Sequence, residues 1–365
     1  MSFARHKPDY TILAATGLII ILGLLTMASA SPILSSSRFG EAYYFVNRQL
    51  LGLGVGLVAL LLGWKINFEF WKKAAPLILF ASIVLMVLVF VPGIGLELKG
   101  AKRWIEVPHF TVQPGEIMKL GFIIYLAAWM EAKRKHMSNL KTGFLPFLFL
   151  VGIVAGLFIF QPDIGTLGVL ALTSLFLFFI GGGRLSQVAL LICLGLVCLG
   201  ILIYLQPYRM DRLLVFLDPG HDPQGVGYQL QQSLIAIGSG GFFGRGFGMS
   251  QQKFNYLPEA AGDSIFAIFG EEFGFIGSIG LIALFLLFFW RGMRISKRAP
   301  TAFGKFLAAG ITLVIVLQAL INIAALSGLV PLTGLPLSFI SFGSSALVMN
   351  LAEVGILMNI SKYTK

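Results

Sequence analysis

From Thr11 to Ala30 the chain runs for twenty residues without a charge, and runs of this kind recur along its length. At 1.5 Å per residue, about 20 apolar residues in a helix cross the hydrocarbon core of a bilayer. Inside hydrocarbon every backbone N–H and C=O has to be satisfied within the protein, so a chain built of such runs is confined to a helical bundle. Composition agrees: 57% of residues are hydrophobic, 12% are charged and the mean hydropathy is +0.88, against roughly 25% charged in soluble domains. The expected fold class is therefore all-α, a polytopic membrane bundle forming one domain over residues 1–365.

Ten spans are expected: Thr11–Ala30, Gln49–Gly63, Ala74–Pro92, Glu116–Met130, Gly143–Phe160, Ile164–Ile180, Gln187–Leu205, Ser264–Trp290, Phe303–Ser327 and Gly343–Ile360. Ala28-Ser29-Ala30 has the look of a signal-peptidase site. The run before it is longer than the 7–15 residues of a signal core, so the first span is expected to be retained.

Basic residues orient the spans. With the amino terminus inside, the inner segments collect Arg5, Lys7, Lys65, Lys72, Lys73, Lys133, Arg134, Lys135, Lys141, Arg184, Arg291, Arg294, Lys297, Arg298, Lys305, Lys362 and Lys365, which is 17 of the 27 Lys and Arg. That is the positive-inside pattern, with both termini cytoplasmic. The net charge of +11 is thereby accounted for by anionic membrane lipids at the inner face, and no nucleic-acid partner is needed. Cys193 and Cys198 share one apolar run, and five residues apart they diverge on a helix. His6, His109, His136 and His221 lack metal-ligand spacing.

The outer segments carry the chemistry. They are residues 31–48, 93–115, the Gln161-Pro162-Asp163 turn, a long extracytoplasmic loop at 206–263, and 328–342. Lys99, Lys102 and Arg103 stand on the wrong side of the positive-inside rule. They either balance Glu97 and Glu106 or grip an anionic group. Ionisable residues at membrane depth are functional candidates. Glu116 and Lys119, three apart, share one helix face and can pair. Asp163 lies in a tight turn, and Asp263 opens a span. Glu271 and Glu272 fall about 12 Å further along a straight helix; buried there, each has to be neutral or paired, and they are expected to organise the bundle. Glu353, midway along the last span, has no evident role.

Several stretches carry a resemblance. GAKRW at 100–104, QPGEIMK at 113–119, QPDIGT at 161–166, the run from Arg212 to Gly277 that includes GSGGFFGRGFG, NYLPEA and IFGEE, and TGLPLSFISFGSS at 333–345 together resemble the SEDS (shape, elongation, division and sporulation) family, nearer its FtsW branch than its RodA branch. The resemblance implies a peptidoglycan glycosyltransferase of the bacterial cytoplasmic membrane that polymerises lipid II at the outer face, with a place at the division septum. It implies Asp263 as the catalytic aspartate, supported by Glu116, Lys119 and Asp163. It also implies a divalent cation, Mg²⁺ or Mn²⁺, and partners among the divisome or elongasome membrane proteins, above all a class B penicillin-binding protein with one transmembrane helix. The chain departs from the family pattern at Ala261-Gly262, where His-Thr is usual, at Gly115 in place of serine, and at Ser338 in place of proline.

The chemistry asks for such residues. A sugar hydroxyl attacking an anomeric carbon gives up a proton to a carboxylate, and the departing diphosphate needs cations. Arg48, Lys102, Arg103, Arg245 and Lys119 are available, and Trp104, Gln113 and Glu259 complete the expected substrate-binding set. Two other functions fit the same residues: a lipid II flippase, since buried charges and glycine-rich segments also serve transport, and a catalytically weak scaffold of a wall-synthesis complex.

Overall fold

Polar side chains stand where the apolar runs begin, and they fix where helices start. In the computed structural model, which describes residues 6–98, 101–107, 110–218 and 220–364, Asp9 accepts from the Thr11 amide at 3.1 Å, Asn67 from Glu69 at 3.0 Å, Asp163 from Thr166 at 3.2 Å and Thr301 from Gly304 at 3.1 Å. Each satisfies an N–H that a helix end leaves unpaired. Arg5, Lys99, His109 and Lys365 lie outside the described residues.

The helices are α1 (Tyr10–Phe39), α2 (Tyr44–Lys65), α3 (Phe68–Leu88), α4 (Pro114–Ala132), α5 (Leu145–Phe160), α6 (Ile164–Ile180), α7 (Leu185–Tyr204), α8 (Pro207–Leu217), α9 (Val226–Ser239), α10 (Ile265–Arg298), α11 (Ala302–Leu326) and α12 (Ser344–Ser361). Among the described residues, eight helices are long and apolar enough to cross a membrane; α6 is a shorter apolar helix and α4 carries Glu116, Lys119 and Glu131. Eight of the ten expected spans thus have the length and composition of a membrane helix, and α4 and α6 stand at the places of the other two. The first and last lie side by side at one end: the His6 amide donates to the Lys362 carbonyl at 2.7 Å, the Asp9 amide to Ser361 Oγ at 3.0 Å, and Asp9 pairs with Arg291 at 2.8 Å.

Three expectations are corrected. Residues 93–115 do not form a plain loop: β1 (Gly95–Leu98), β2 (Ala101–Val107) and β3 (Phe110–Val112) make an antiparallel sheet in that order, with Leu96 opposite Trp104 and Ile105 opposite Val112. Residues 206–263 hold two helices, α8 and α9, because Pro207 and Val226 each open a stretch with a lipid-compatible face. Finally, the span expected from Ser264 is not straight. At Gly274 the backbone turns to φ 64°, ψ −162°, and residues 265–273 form a separate helical segment.

That break explains the glycine cluster. The amides of Arg245 and Gly246 donate to the Glu271 and Glu272 carbonyls at 3.0 and 3.1 Å, and Phe275 and Ile276 donate to Gly241 and Phe242 at 2.9 and 3.2 Å. Backbones meet so closely that a Cβ on Gly274 would lie 2.2 Å from the Gly244 amide nitrogen, and one on Gly244 would lie 2.2 Å from the Glu272 carbonyl oxygen. The loop repairs the ladder that the break opens, which is how irregular backbone is tolerated at membrane depth.

Glu271 and Glu272 sit just before the break. Glu271 accepts from Ser250 Oγ at 2.5 Å and from the Gln251 and Gln252 amides at 3.0 and 3.2 Å. Glu272 pairs with buried Lys253 at 3.2 Å and accepts from Ser29 Oγ of α1. They are paired, and they fasten the 240–264 segment to the bundle.

At the centre, 83% of the apolar window of α11 is buried, against 6% for α7, which packs on α6 and α8 at the periphery. α2 and α12 touch backbone to backbone: a Cβ on Gly355 would lie 2.2 Å from the Leu60 carbonyl oxygen, and one on Gly63 would lie 2.9 Å from that of Ala352.

Candidate functional site

Asp263 lies at the junction between the 240–264 segment and α10, and it is half-buried. Ser264, the next residue, stands at the N-cap position of α10. Its position is set through main-chain carbonyls. Ala261 C=O accepts from the Phe342 amide at 2.9 Å, Gly262 C=O from Ser341 Oγ at 2.7 Å, and Asp263 C=O from Asn322 Nδ2 at 2.7 Å. Three consecutive carbonyls are thus held by α11 and by the segment before α12. None of the three bonds uses a side chain of residues 261–263, which is why Ala261-Gly262 can stand where His-Thr is usual without displacing the aspartate. Gln229 of α9 reaches the carboxylate at 3.5 Å and Ser264 Oγ at 3.0 Å.

Arg212 of α8 shares this place. A Cβ built on Gly334 would lie 3.6 Å from both Arg212 terminal nitrogens and 3.6 Å from Asp263 Oδ2. Arg212 Nη1 donates to the Leu332 carbonyl at 3.1 Å, while its Nε is buried without a hydrogen-bond partner among the described residues. Burial pulls the Arg212 guanidinium below its ordinary pKa, and the Asp263 carboxylate is the largest influence in the other direction. Arg212 is absent from the set expected from sequence. Its signal was an arginine on the amphipathic stretch PYRMDRLLVFL, legible only once that stretch is seen as a helix.

α11 joins Asp263 to the second part of the site. One turn from Asn322, Gln318 accepts from Lys119 Nζ at 2.5 Å, and Lys119 pairs with Glu116 at 2.8 Å; all three side chains are fully buried. Gln318 and Asn322 also donate to the carbonyls of Pro336 and Leu335, at 3.0 and 2.7 Å. Asp163 is the cap of α6, with Oδ2 accepting from Thr166 Oγ1 at 2.9 Å. A Cβ on Gly115 would lie 3.9 Å from that oxygen, so the α6 cap adjoins the start of α4. Arg103 holds the Gln161-Pro162-Asp163 turn, donating to the Gln161 and Pro162 carbonyls at 3.0 and 2.5 Å.

The remaining expected residues divide. Arg48 lies over the Tyr44 ring at 4.8 Å, and its carbonyl accepts from Ser344 at 3.0 Å. Gln113 precedes α4, its amide 3.4 Å from Ser345 Oγ. Glu259 lies beside Gly262, its backbone at φ 50°, and its carbonyl accepts from the Gly262 and Ser264 amides at 2.8 and 3.2 Å. Left-handed backbone at a non-glycine residue costs energy and gathers at functional sites. Lys102 and Trp104 point from β2 to the face opposite Arg103, and Lys102 registers with Glu97. Arg245 is engaged elsewhere, by Glu271 at 3.4 Å.

A divalent cation finds no protein cage: among the described residues no three His, Cys, Asp or Glu side chains gather as a metal-holding group. Glu116 is committed to Lys119, and Asp163 to the start of α6.

Residues 10–365 match the FtsW/RodA/SpoVE family model, described as cell cycle protein. The chain is similar to stage V sporulation protein E of Bacillus subtilis (strain 168), 39% identical over all of both chains. It is also similar to the probable peptidoglycan glycosyltransferase FtsW of Trichlorobacter lovleyi, 40% identical over 98% of this chain and 94% of the other. Among solved structures it resembles a chain of a peptidoglycan synthase complex that coordinates polymerization and crosslinking, with TM-score 0.79, 25% identity and 97% of each chain covered. It resembles as well the rod shape determining protein RodA of Thermus thermophilus, with TM-score 0.71, 25% identity and 98% of each chain covered.

Proposed function

Because the chain belongs to the FtsW/RodA/SpoVE family of cell cycle proteins, we propose that it is an inverting peptidoglycan glycosyltransferase that polymerises lipid II at the outer face of the bacterial cytoplasmic membrane. The observation that carries the reading is Asp263: a half-buried carboxylate fixed by three consecutive carbonyl bonds, next to a guanidinium, where α8, α9, α10 and α11 meet.

The chemistry follows from that placement. The acceptor hydroxyl attacks the anomeric carbon of the donor sugar, and the bond from that carbon to the diphosphate oxygen breaks. The bonding pair leaves with the diphosphate, and the hydroxyl proton passes to the Asp263 carboxylate as general base. Single displacement inverts the anomeric centre. The diphosphate gains negative charge as it departs, and Arg212 is the cation nearest Asp263 to meet it. Lys119, Arg103 and Arg48 are further cations of the expected set. The sugars work in water while the carrier stays in lipid, so a site at the outer mouth of a bundle suits both. A Mg²⁺ or Mn²⁺ ion, if bound, would supply further positive charge for the departing diphosphate.

Both termini are cytoplasmic on this reading, and the protein works at the septum with a class B penicillin-binding protein whose single span packs on the bundle and which supplies crosslinking. One experiment addresses these points: purify the protein from native membranes in mild detergent, identify what accompanies it, and measure glycan polymerisation from lipid II with and without EDTA. Glycan strands and a co-purifying penicillin-binding protein are expected. A pure, folded protein that binds lipid II yet makes no glycan would overturn the enzyme reading in favour of transport or scaffolding.

A further inference from the structure

Gln49 stands in the second turn of α2 and is buried, with 2% of its surface exposed. A buried carboxamide has donors and an acceptor to satisfy, and this one spends both ends on one short stretch of main chain. Its Nε2 donates to the Ser341 carbonyl at 3.2 Å, and its Oε1 accepts from the Gly343 amide at 3.3 Å. The side chain thus brackets Phe342. The same helix face also grips the Phe342 ring: Phe45 meets it edge-on, with centroids 4.8 Å apart and planes at 70°. Phe45 and Gln49 are four residues apart, so they lie side by side on α2.

The turn at 337–343 needs such a hold. Phe339 is buried with its backbone at φ 67°, a left-handed conformation that a bulky residue keeps only where its neighbours enforce it. From within, Ser341 Oγ accepts from the Leu337 amide at 2.7 Å, and the Ser341 amide donates to the Leu337 carbonyl at 3.0 Å. From α11, the Ile315 carbonyl accepts from Ser338 Oγ at 3.0 Å. From α1, a Cβ on Gly23 would lie 2.9 Å from Ile340 Cα. α2 closes the remaining side, where a Cβ on Gly52 would lie 2.9 Å from Ser344 Cα.

The two residues that α2 grips are the two that hold the run into Asp263. Ser341 gives its carbonyl to Gln49 and its hydroxyl to the Gly262 carbonyl, at 3.2 and 2.7 Å. Phe342 gives its ring to Phe45 and its amide to the Ala261 carbonyl, the latter at 2.9 Å. The next carbonyl, that of Asp263 itself, is held separately by Asn322 of α11 at 2.7 Å. Two of the three anchoring bonds therefore depend on α2, and the third does not.

We propose that Gln49 is a positioning residue for Asp263, acting through Ser341 and Phe342. With the bracket closed, residues 261–263 are fixed at three consecutive carbonyls and the carboxylate has one direction. With the bracket open, residues 261 and 262 are freed while the Asp263 carbonyl stays on Asn322, so the carboxylate pivots about that point. A base that pivots is still present but seldom aligned with the hydroxyl proton, and misplacement by about 1 Å can cost about a hundredfold in rate. The loss falls on the chemical step, because Gln49 touches none of the cations placed near the diphosphate. The kinetic consequence rests on the glycosyltransferase reading; the loosening of residues 259–264 rests on the hydrogen bonds alone.

The test is Gln49→Met in the full-length protein, which keeps the length of the side chain and removes both hydrogen bonds. Polymerisation from lipid II should lose about 10–100-fold in kcat with KM nearly unchanged, and amide hydrogen exchange over residues 259–264 and 337–343 should speed up. Ser341→Ala breaks the same link one step nearer the aspartate and decides the matter if Gln49→Met accumulates poorly; Ser341→Thr, which keeps the hydroxyl, should restore the rate. The double variant should be no slower than the slower single, since both cut one path. Gly56→Ala is the control for packing alone: its Cβ would meet Leu351 Cδ1 at 2.5 Å, two turns along the same α2–α12 contact, so it should lower abundance while the rate per folded protein stays within about twofold. Unchanged kcat in Gln49→Met, a loss confined to KM, a double variant that multiplies the two losses, or unchanged exchange over residues 259–264 overturns the proposal. Faster exchange there, in a chain whose unmodified form makes no glycan, would uphold the bracket and reject the enzyme reading instead.

Discussion

Replacing Asp263 with asparagine separates chemistry from architecture, because the three main-chain bonds that hold the residue in place do not depend on its charge. The three anchoring bonds run to the carbonyls of Ala261, Gly262 and Asp263, and asparagine keeps all of them. The Gln229 contact at 3.5 Å is at the limit of a hydrogen bond and contributes little. Arg212 loses the carboxylate beside it but keeps the Leu332 carbonyl at 3.1 Å, which leaves a folded bundle. The reaction loses a base worth about 10²–10⁴ in rate, equal to roughly 2.7–5.4 kcal/mol at 1.36 kcal/mol per decade. Lipid II polymerisation at saturating substrate should therefore drop by at least a hundredfold, with lipid II still bound and the protein present at normal amounts. Polymerisation within a few fold of the unmodified protein would refute the base assignment and move attention to Glu116 and Asp163.

Two further outcomes follow from the buried pair and from the arrangement of the spans. Lys119→Met strands Glu116 in the interior, at about 3–5 kcal/mol, so it should lower both membrane abundance and activity; the double variant Glu116→Gln/Lys119→Met should recover abundance without recovering polymerisation, and recovered activity would remove the pair from the mechanism. Single cysteines at Ser36 and Gln251 should react with an impermeant thiol reagent in intact cells while one at Lys135 should not, and the opposite pattern would invert the bundle.

The spans were legible in the sequence because hydrocarbon enforces one pattern, a long uncharged run. So was the Glu116–Lys119 pair, since a three-residue spacing on a helix leaves few alternatives. What escaped was set by tertiary contact. Arg212 reads as an ordinary loop cation until α8 folds and turns it to Asp263. Gly274 reads as one more small residue in an apolar run; only the facing loop 241–246 makes it a break. Arg245 was expected at the substrate because arginine suits diphosphates, but the sequence does not show that Glu271, 26 positions later, reaches it first. Nor could it show that Asp263 is held by the carbonyls of its own neighbourhood, because main-chain bonds leave no trace in residue type.

The contact between α2 and α12 has a consequence for how the protein is made. The two helices touch through bare backbone at Gly63 and Gly355, and Gln49 bonds to the Ser341 carbonyl 292 positions away. At 5–20 residues per second, translation delivers α12 roughly 15–60 s after α2. For that interval the glycine face of α2 stands in the membrane without its mate, and the Asn322–Ser341 clasp on Asp263 does not yet exist. The clasp on Asp263 therefore waits for residues made well after the aspartate itself, Asn322 at 59 positions beyond Asp263 and Ser341 at 79 beyond Gly262, so the site is completed from the carboxyl-terminal side of the bundle.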